Sequence, residues 1–129
     1  HWLADDGISA IEISGGNTSS LPRKGPIRAI RRTKEPMYFA PYAEKAAKEL
    51  QGQTDIGVVG GWRSAAEMEE FLNTAPVSFI SMCRPLLRQP DLPNRWRRGD
   101  TEPATCISCS RCFGDTDVDC IFHDTAEED

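Results

Sequence analysis

Cys106, Cys109 and Cys112 put a thiol at every third position of the run Ala104-Thr105-Cys106-Ile107-Ser108-Cys109-Ser110-Arg111-Cys112-Phe113, and Cys120 follows eight residues on. Soft thiolate donors select iron–sulfur clusters and zinc over hard cations, so four at this spacing can converge on one metal centre. A tight C-x2-C-x2-C triplet suits a cubane whose fourth ligand comes from elsewhere in the chain. Structural zinc more often uses two short cysteine pairs well separated in sequence. The residues alone leave three readings open, with the cluster preferred: an iron–sulfur centre, a zinc ion with His123 as an alternative ligand, or no metal. Disulfides are the weaker reading, because no secretory leader is read and Cys83 leaves an odd thiol over.

Two further places carry chemistry-bearing residues. Gly60-Gly61-Trp62-Arg63 closes one apolar run and Cys83-Arg84-Pro85 closes another. Glycine lets backbone approach an anion closely, and a helix starting at Ser64 would aim free N–H groups and the positive end of its dipole outward. Arg63 or Arg84 could add a charge-assisted contact to a phosphate. The plainer role of the two glycines is to turn a strand into a helix. Cys83 lacks a neighbouring histidine that would activate it, Glu12 reads as a strand residue with a packing or hydrogen-bonding role, and Trp62 and Trp96 read as packing residues.

The elements that must position these residues alternate strand and helix. Residues 8–14 place Ile11 and Ile13 on one face and run into Gly15-Gly16. A loop of about twenty residues follows, a length that tends to be functional. Apolar positions 39, 43, 46, 47 and 50 then recur at helical spacing, with Glu44, Lys45, Lys48 and Glu49 opposite. Asp55 to Gly61 reads as a second strand. Ser64-Ala-Ala-Glu67 fits a capping box, so a helix is expected from Ser64 to about Asn73. Residues 77–82 form a third strand, with a short helix beyond it. Consecutive strands joined by one helix predict parallel pairing.

Composition bounds the function. The 129 residues are 39% hydrophobic and 27% charged, with a net charge of −5 that is unevenly spread. Arg23 to Lys34 holds six basic residues, Arg84 to Arg98 five arginines, and Asp115 to Asp129 seven acids. The basic loop lacks the interleaved aromatics of a base-stacking surface, which argues against nucleic acid. No apolar run reaches the roughly 18 residues of a membrane span, and a cytoplasmic location is expected.

Three parallel strands make no self-sufficient open sheet; doubly wound folds of this size usually have five, and a (β/α)8 barrel has eight in about 250 residues. The chain is therefore expected to belong to something larger, its first residues, His1 to Gly7, reading as the last turn of a helix. Several stretches then fall into one order: Ile11-Glu-Ile-Ser-Gly-Gly16, Met37-Tyr-Phe-Ala-Pro-Tyr-Ala43, Val58-Val-Gly-Gly-Trp-Arg-Ser64, Phe79-Ile-Ser-Met-Cys-Arg-Pro-Leu-Leu87, Gln89-Pro-Asp-Leu-Pro93 and the cysteine run. In this ordered set the chain resembles the C-terminal part of the Old Yellow Enzyme-like NADH:flavin oxidoreductases, in the branch of the 2,4-dienoyl-CoA reductases and trimethylamine dehydrogenase.

The resemblance implies an α/β fold: strands six to eight of a TIM (β/α)8 barrel over residues 1–100, a cysteine-rich segment over 101–122 and an acidic tail over 123–129. It implies FMN, its phosphate held by backbone at Gly60 and Gly61 and by the Cys83-Arg84 pair. It also implies a [4Fe–4S] cluster on Cys106, Cys109, Cys112 and Cys120. The family's C-x2-C-x3-C-x11-C-like spacing matches the C-x2-C-x2-C-x7-C found here only in part. By resemblance the donor is NAD(P)H and the substrate an enone or enoyl thioester. The family's proton donor and flavin-ring contacts lie on the first five strands, so the chain is expected to be inactive alone and to need the missing N-terminal part of the barrel as its partner. The alternative is a non-enzymatic metal- or phosphate-binding module that self-associates through exposed edge strands.

Overall fold

The computed structural model describes residues 1–15, 37–109, 111–112 and 118–122. The basic loop, His123 and the acidic tail lie outside the described residues. The chain divides into two compact units. Of the described residues, one unit comprises 1–15, 37–62 and 66–81, and the other comprises 63–65, 82–109, 111–112 and 118–122.

The first unit is a three-stranded parallel sheet. After a short helix α1 (Trp2–Asp5) come β1 (Ala10–Ile13), α2 (Ala40–Leu50), β2 (Asp55–Val59), α3 (Ala65–Thr74) and β3 (Phe79–Ser81). The strand order is β1-β2-β3, with Ile11 opposite Ile56 and Val58 opposite Ile80. The parallel pairing expected from the strand–helix–strand spacing is present. Alternation in β1 turns Ile11 and Ile13 inward and leaves Glu12 exposed, while the central β2 buries Ile56, Gly57 and Val58 in succession. That is the pattern of an inner parallel strand covered on both faces. Burying Ile56 and Val58 contributes about 1.5–3 kcal/mol each.

Helix α2 lies on β2 and turns Ala40, Ala43, Ala47 and Leu50 inward. Its small side chains let helix and sheet approach closely. On its outer face Lys48 pairs with Glu44 at 3.1 Å. The helix ends where Gln51 and Gly52 adopt φ of +49° and +80°, a left-handed C-terminal cap.

Several boundaries differ from expectation: the first strand is Ala10–Ile13 rather than 8–14, and α3 runs one residue later than Ser64 to Asn73. The second strand stops at Val59 rather than Gly61, because Gly60 and Gly61 turn to φ of +107° and +85°. The third begins at Phe79 rather than residue 77. There the Ser78 amide already reaches the Ile56 carbonyl at 2.7 Å and its hydroxyl reaches Asp55 Oδ1 at 2.8 Å. Opposite Phe79 lies Gly57, where a Cβ would fall 2.1 Å from the phenylalanine ring. The glycine makes room for the ring, which lies over it. Trp62 is 2% exposed and packs on Phe71 with ring centroids 5.0 Å apart, as expected of a packing residue.

In the second unit, α4 (Arg84–Arg88) and α5 (Leu92–Arg97) hold the segment that leads to the cysteines. Proline in the first turn of each supplies a preset φ where no amide partner is needed. Arg95 Nη2 and Trp96 Nε1 both donate to the Glu102 carbonyl, at 2.8 and 3.0 Å. The Thr105 amide donates to Gln89 Oε1 at 2.8 Å, and Arg88 Nε donates to the Thr105 hydroxyl at 2.7 Å.

Two carboxylates fasten this region. Asp91 is held below the usual carboxylate range first by its hydrogen bond from Arg98 and then by that from Asn94. Asp100 is lowered first by the Glu102 amide and then by Arg95. A carboxylate whose folded pKa is depressed stabilises the fold above its unfolded value, about 3.9, and that contribution vanishes as pH falls through the folded value. The drop in thermal midpoint between pH 5 and pH 3 is therefore expected to be smaller in the Asp91→Asn, Asp100→Asn double variant than in the wild type. Both carboxylates are exposed to solvent, so the difference is small; an equal drop in the two proteins would dismiss it.

Candidate metal centre

The cysteine loop is shaped by hydrogen bonds that begin 41 residues upstream of Ala104, at Arg63. The Ala104 amide donates to the Arg63 carbonyl at 2.8 Å. The Arg63 side chain returns to the same segment: Nε donates to the Cys106 carbonyl at 2.5 Å, and Nη2 donates to Ser108 Oγ. Ser108 is 3% exposed and has φ of +54°. A side-chain-bearing residue enters that left-handed region only when its surroundings hold it there.

Beyond this turn the four thiols share one cavity. Cys106, Cys109, Cys112 and Cys120 line one small pocket, partly open to solvent and with a free volume of about 20 Å³, together with Arg84, Arg88 and the apolar side chains of Ile107, Ile121 and Phe122. Among the described residues the five cysteines form no disulfide. Cys112 is buried, while Cys106, Cys109 and Cys120 are half-buried. Among the described residues no group of three or more His, Cys, Asp or Glu side chains is drawn together at the spacing of a single bound ion. The thiols are gathered round a cavity rather than clenched on a point.

Charge and burial compete at Cys112, and burial wins, holding its thiol above the ordinary range. Burial pushes the Cys112 thiol up, and the thiols of Cys106 and Cys109 push the same way. A backbone hydrogen bond and the Arg84 guanidinium pull it down. Arg88 has its guanidinium 4.7 Å from the centre of the Phe122 ring, a cation–π contact that ties the segment after Cys120 to α4. Arg84 and Arg88 both line the pocket beside the thiols.

The other candidate residues are placed as follows. Gly60 and Gly61 lie in the first unit, where the Tyr38 and Phe39 rings occupy the space a Gly60 side chain would need. Cys83 and Arg84 lie in the second unit; Cys83 is exposed at the start of α4, and Arg84 lines the cysteine cavity. Sequence reasoning gave Arg63 a phosphate role and missed its bonds to the cysteine loop, for which no local signal exists at a separation of 43 residues. It also missed Arg88 as a wall of the cavity. That one was legible, since Arg88 follows Arg84 by one helical turn and shares its face.

A 4,4'-dithiodibutanoate disulfide reductase from Rhodococcus erythropolis is 27% identical over 89 residues, which cover 67% of this chain and 21% of that enzyme. The chain thus spans about a fifth of the length of the curated relative it matches. The similarity is compatible with an oxidoreductase. No protein-family model and no solved structure matches the chain. Among the described residues no helix is long and apolar enough to cross a membrane.

Proposed function

We propose that the chain is the cluster- and flavin-phosphate-binding part of an FMN-dependent NAD(P)H oxidoreductase, with a barrel of the Old Yellow Enzyme type in the whole protein. The observation that carries this reading is the cavity shared by Cys106, Cys109, Cys112 and Cys120. Four thiols, two guanidinium groups and an apolar remainder are a donor set that suits a soft, anionic thiolate-bound centre. The similarity to a disulfide reductase supports the redox class.

A [4Fe–4S] centre bound there would supply one-electron transfer, and FMN would supply hydride acceptance from the nicotinamide. This chain's own residues do simpler things. The four cysteines hold the centre, and Arg84 and Arg88 offset its negative charge. The flavin phosphate would lie at the left-handed turn of Gly60 and Gly61. The acceptor of the whole protein is an enone or an enoyl thioester.

Binding of flavin by phosphate alone has a clear consequence. FMN is expected to bind the isolated chain weakly and to be displaced by inorganic phosphate, whereas riboflavin, which lacks the phosphate, does not bind. NADH-dependent reduction of an enone by the chain is expected to be absent, since no flavin-ring contacts or proton donor are assigned to it. Fluorescence titration and a turnover assay check both. Riboflavin binding as tightly as FMN, or reproducible turnover by the chain alone, would overturn the proposed division of labour.

A further inference from the structure

We infer that Arg63 is a positioning residue for the thiols, holding the turn that aims Cys106 and Cys109 into the shared cavity; the inference rests on reading the four cysteines as one ligand set. Three hydrogen bonds converge on this residue from a five-residue segment. Its carbonyl accepts from the Ala104 amide, its Nε donates to the Cys106 carbonyl, and its Nη2 donates to Ser108 Oγ. The two side-chain bonds use different nitrogens of one planar fork, so the carbonyl of Cys106 and the hydroxyl two residues later are fixed relative to each other. A lysine, a point charge on a flexible stem, cannot fix two acceptors in that way.

The fork matters because of where Ser108 sits. It lies between Cys106 and Cys109, is 3% exposed and has φ of +54°. A serine prefers right-handed or extended backbone, so something must hold it left-handed, and the bond to Arg63 does so while satisfying a buried hydroxyl. That reversal lets Cys106 and Cys109, three residues apart, line the same cavity. Without the guanidinium, the Cys106 carbonyl and the Ser108 hydroxyl both lose a donor. The turn then relaxes toward ordinary backbone, and the two thiols leave the cavity wall. Cys120 and Cys83 are reached by other parts of the chain and are unaffected.

The test reads each thiol separately in the reduced, metal-free chain, by timed alkylation with iodoacetamide and peptide mass spectrometry. Exposed Cys83 is the internal reference. Arg63→Gln is expected to raise the rates of Cys106 and Cys109 about tenfold relative to Cys83, the effect of two lost hydrogen bonds on local opening. Cys120 is expected to change less than twofold. Arg63→Lys should behave like Arg63→Gln. Ser108→Gly, which tolerates the left-handed backbone but removes the acceptor, should give an intermediate rise; it carries the test if the arginine variants do not fold. Rates of Cys106 and Cys109 within twofold of wild type in Arg63→Gln, full rescue by lysine, or an equal rise at all thiols would overturn the assignment. The outcome is separable from the proposed function: a wild-type chain that retains no iron after reconstitution removes the ligand-set reading, whereas unchanged alkylation removes only the role of Arg63.

Discussion

Anaerobic reconstitution with ferrous iron and sulfide is expected to leave about four irons and four sulfides per chain after desalting, with broad visible absorption, and Cys112→Ser is expected to abolish both. Serine keeps the size of the side chain but replaces a thiol by a hydroxyl that does not ionise near neutral pH, so it removes a ligand without opening a void. Cys112 is the sharpest choice because it is the buried member of the four. Its replacement cannot be covered by a solvent-borne ligand as readily as one at the rim. Cys83→Ser is the matched control: Cys83 is exposed and does not line the cavity, so iron and sulfide should stay at wild-type levels. One equivalent of zinc bound in preference to iron and sulfide would assign the site to a tetrahedral ion instead. Retention of the full complement by Cys112→Ser would show that the four thiols do not act together.

The arrangement of charge makes the same case. A cluster carried by four thiolates is anionic, and an anion in a partly dry cavity needs fixed positive charge or hydrogen-bond donors around it. Arg84 and Arg88, one helical turn apart on α4, would meet that need if such a cluster binds. Arg88 is itself fixed by Thr105 and Phe122, one on each side of the cysteine run. The cations are built into the wall rather than borrowed from solvent.

Much of this was legible in the sequence because it is local. Alternation at Ile11 and Ile13, the small-residue face from Ala40 to Leu50 and the start of α3 beside Ser64 each declare themselves within a window of one element. The parallel pairing follows from one helix between consecutive strands. The strand ends were less legible: Gly60 and Gly61 belong by composition to the apolar run, and only their positive φ removes them from β2. Three parallel strands occur alike in barrels and in open sheets, so strand pattern by itself does not choose between them. The thiol triplet was readable from its spacing. Cys120 was read as their fourth partner from its place eight residues on, whereas the approach of Arg63 across 43 residues depends on tertiary contacts that leave no periodic trace.

Gly61→Ala is expected to lower the stability of the sheet unit by roughly 2–5 kcal/mol. Two separate effects act at this position. Its φ of +85° disfavours any L side chain, and an added Cβ would lie 2.7 Å from the Met37 backbone nitrogen. A flexible side chain could swing away from such a contact; a backbone nitrogen at the entry to α2 moves only if the helix moves. Gly52→Ala separates the two effects. Gly52 has φ of +80°, but a Cβ there meets nothing within 4 Å, so its loss should be about 1 kcal/mol. The difference between the two variants, read from urea midpoints at unchanged slope, measures the collision with Met37. It also tests why the glycine is there. If Gly61→Ala is as mild as Gly52→Ala, close approach of the chain does not require glycine at 61, and access of a phosphate to the backbone becomes its stronger reason. If Gly61→Ala costs several times more, the turn is first a structural necessity, set by how closely the chain at Met37 approaches it.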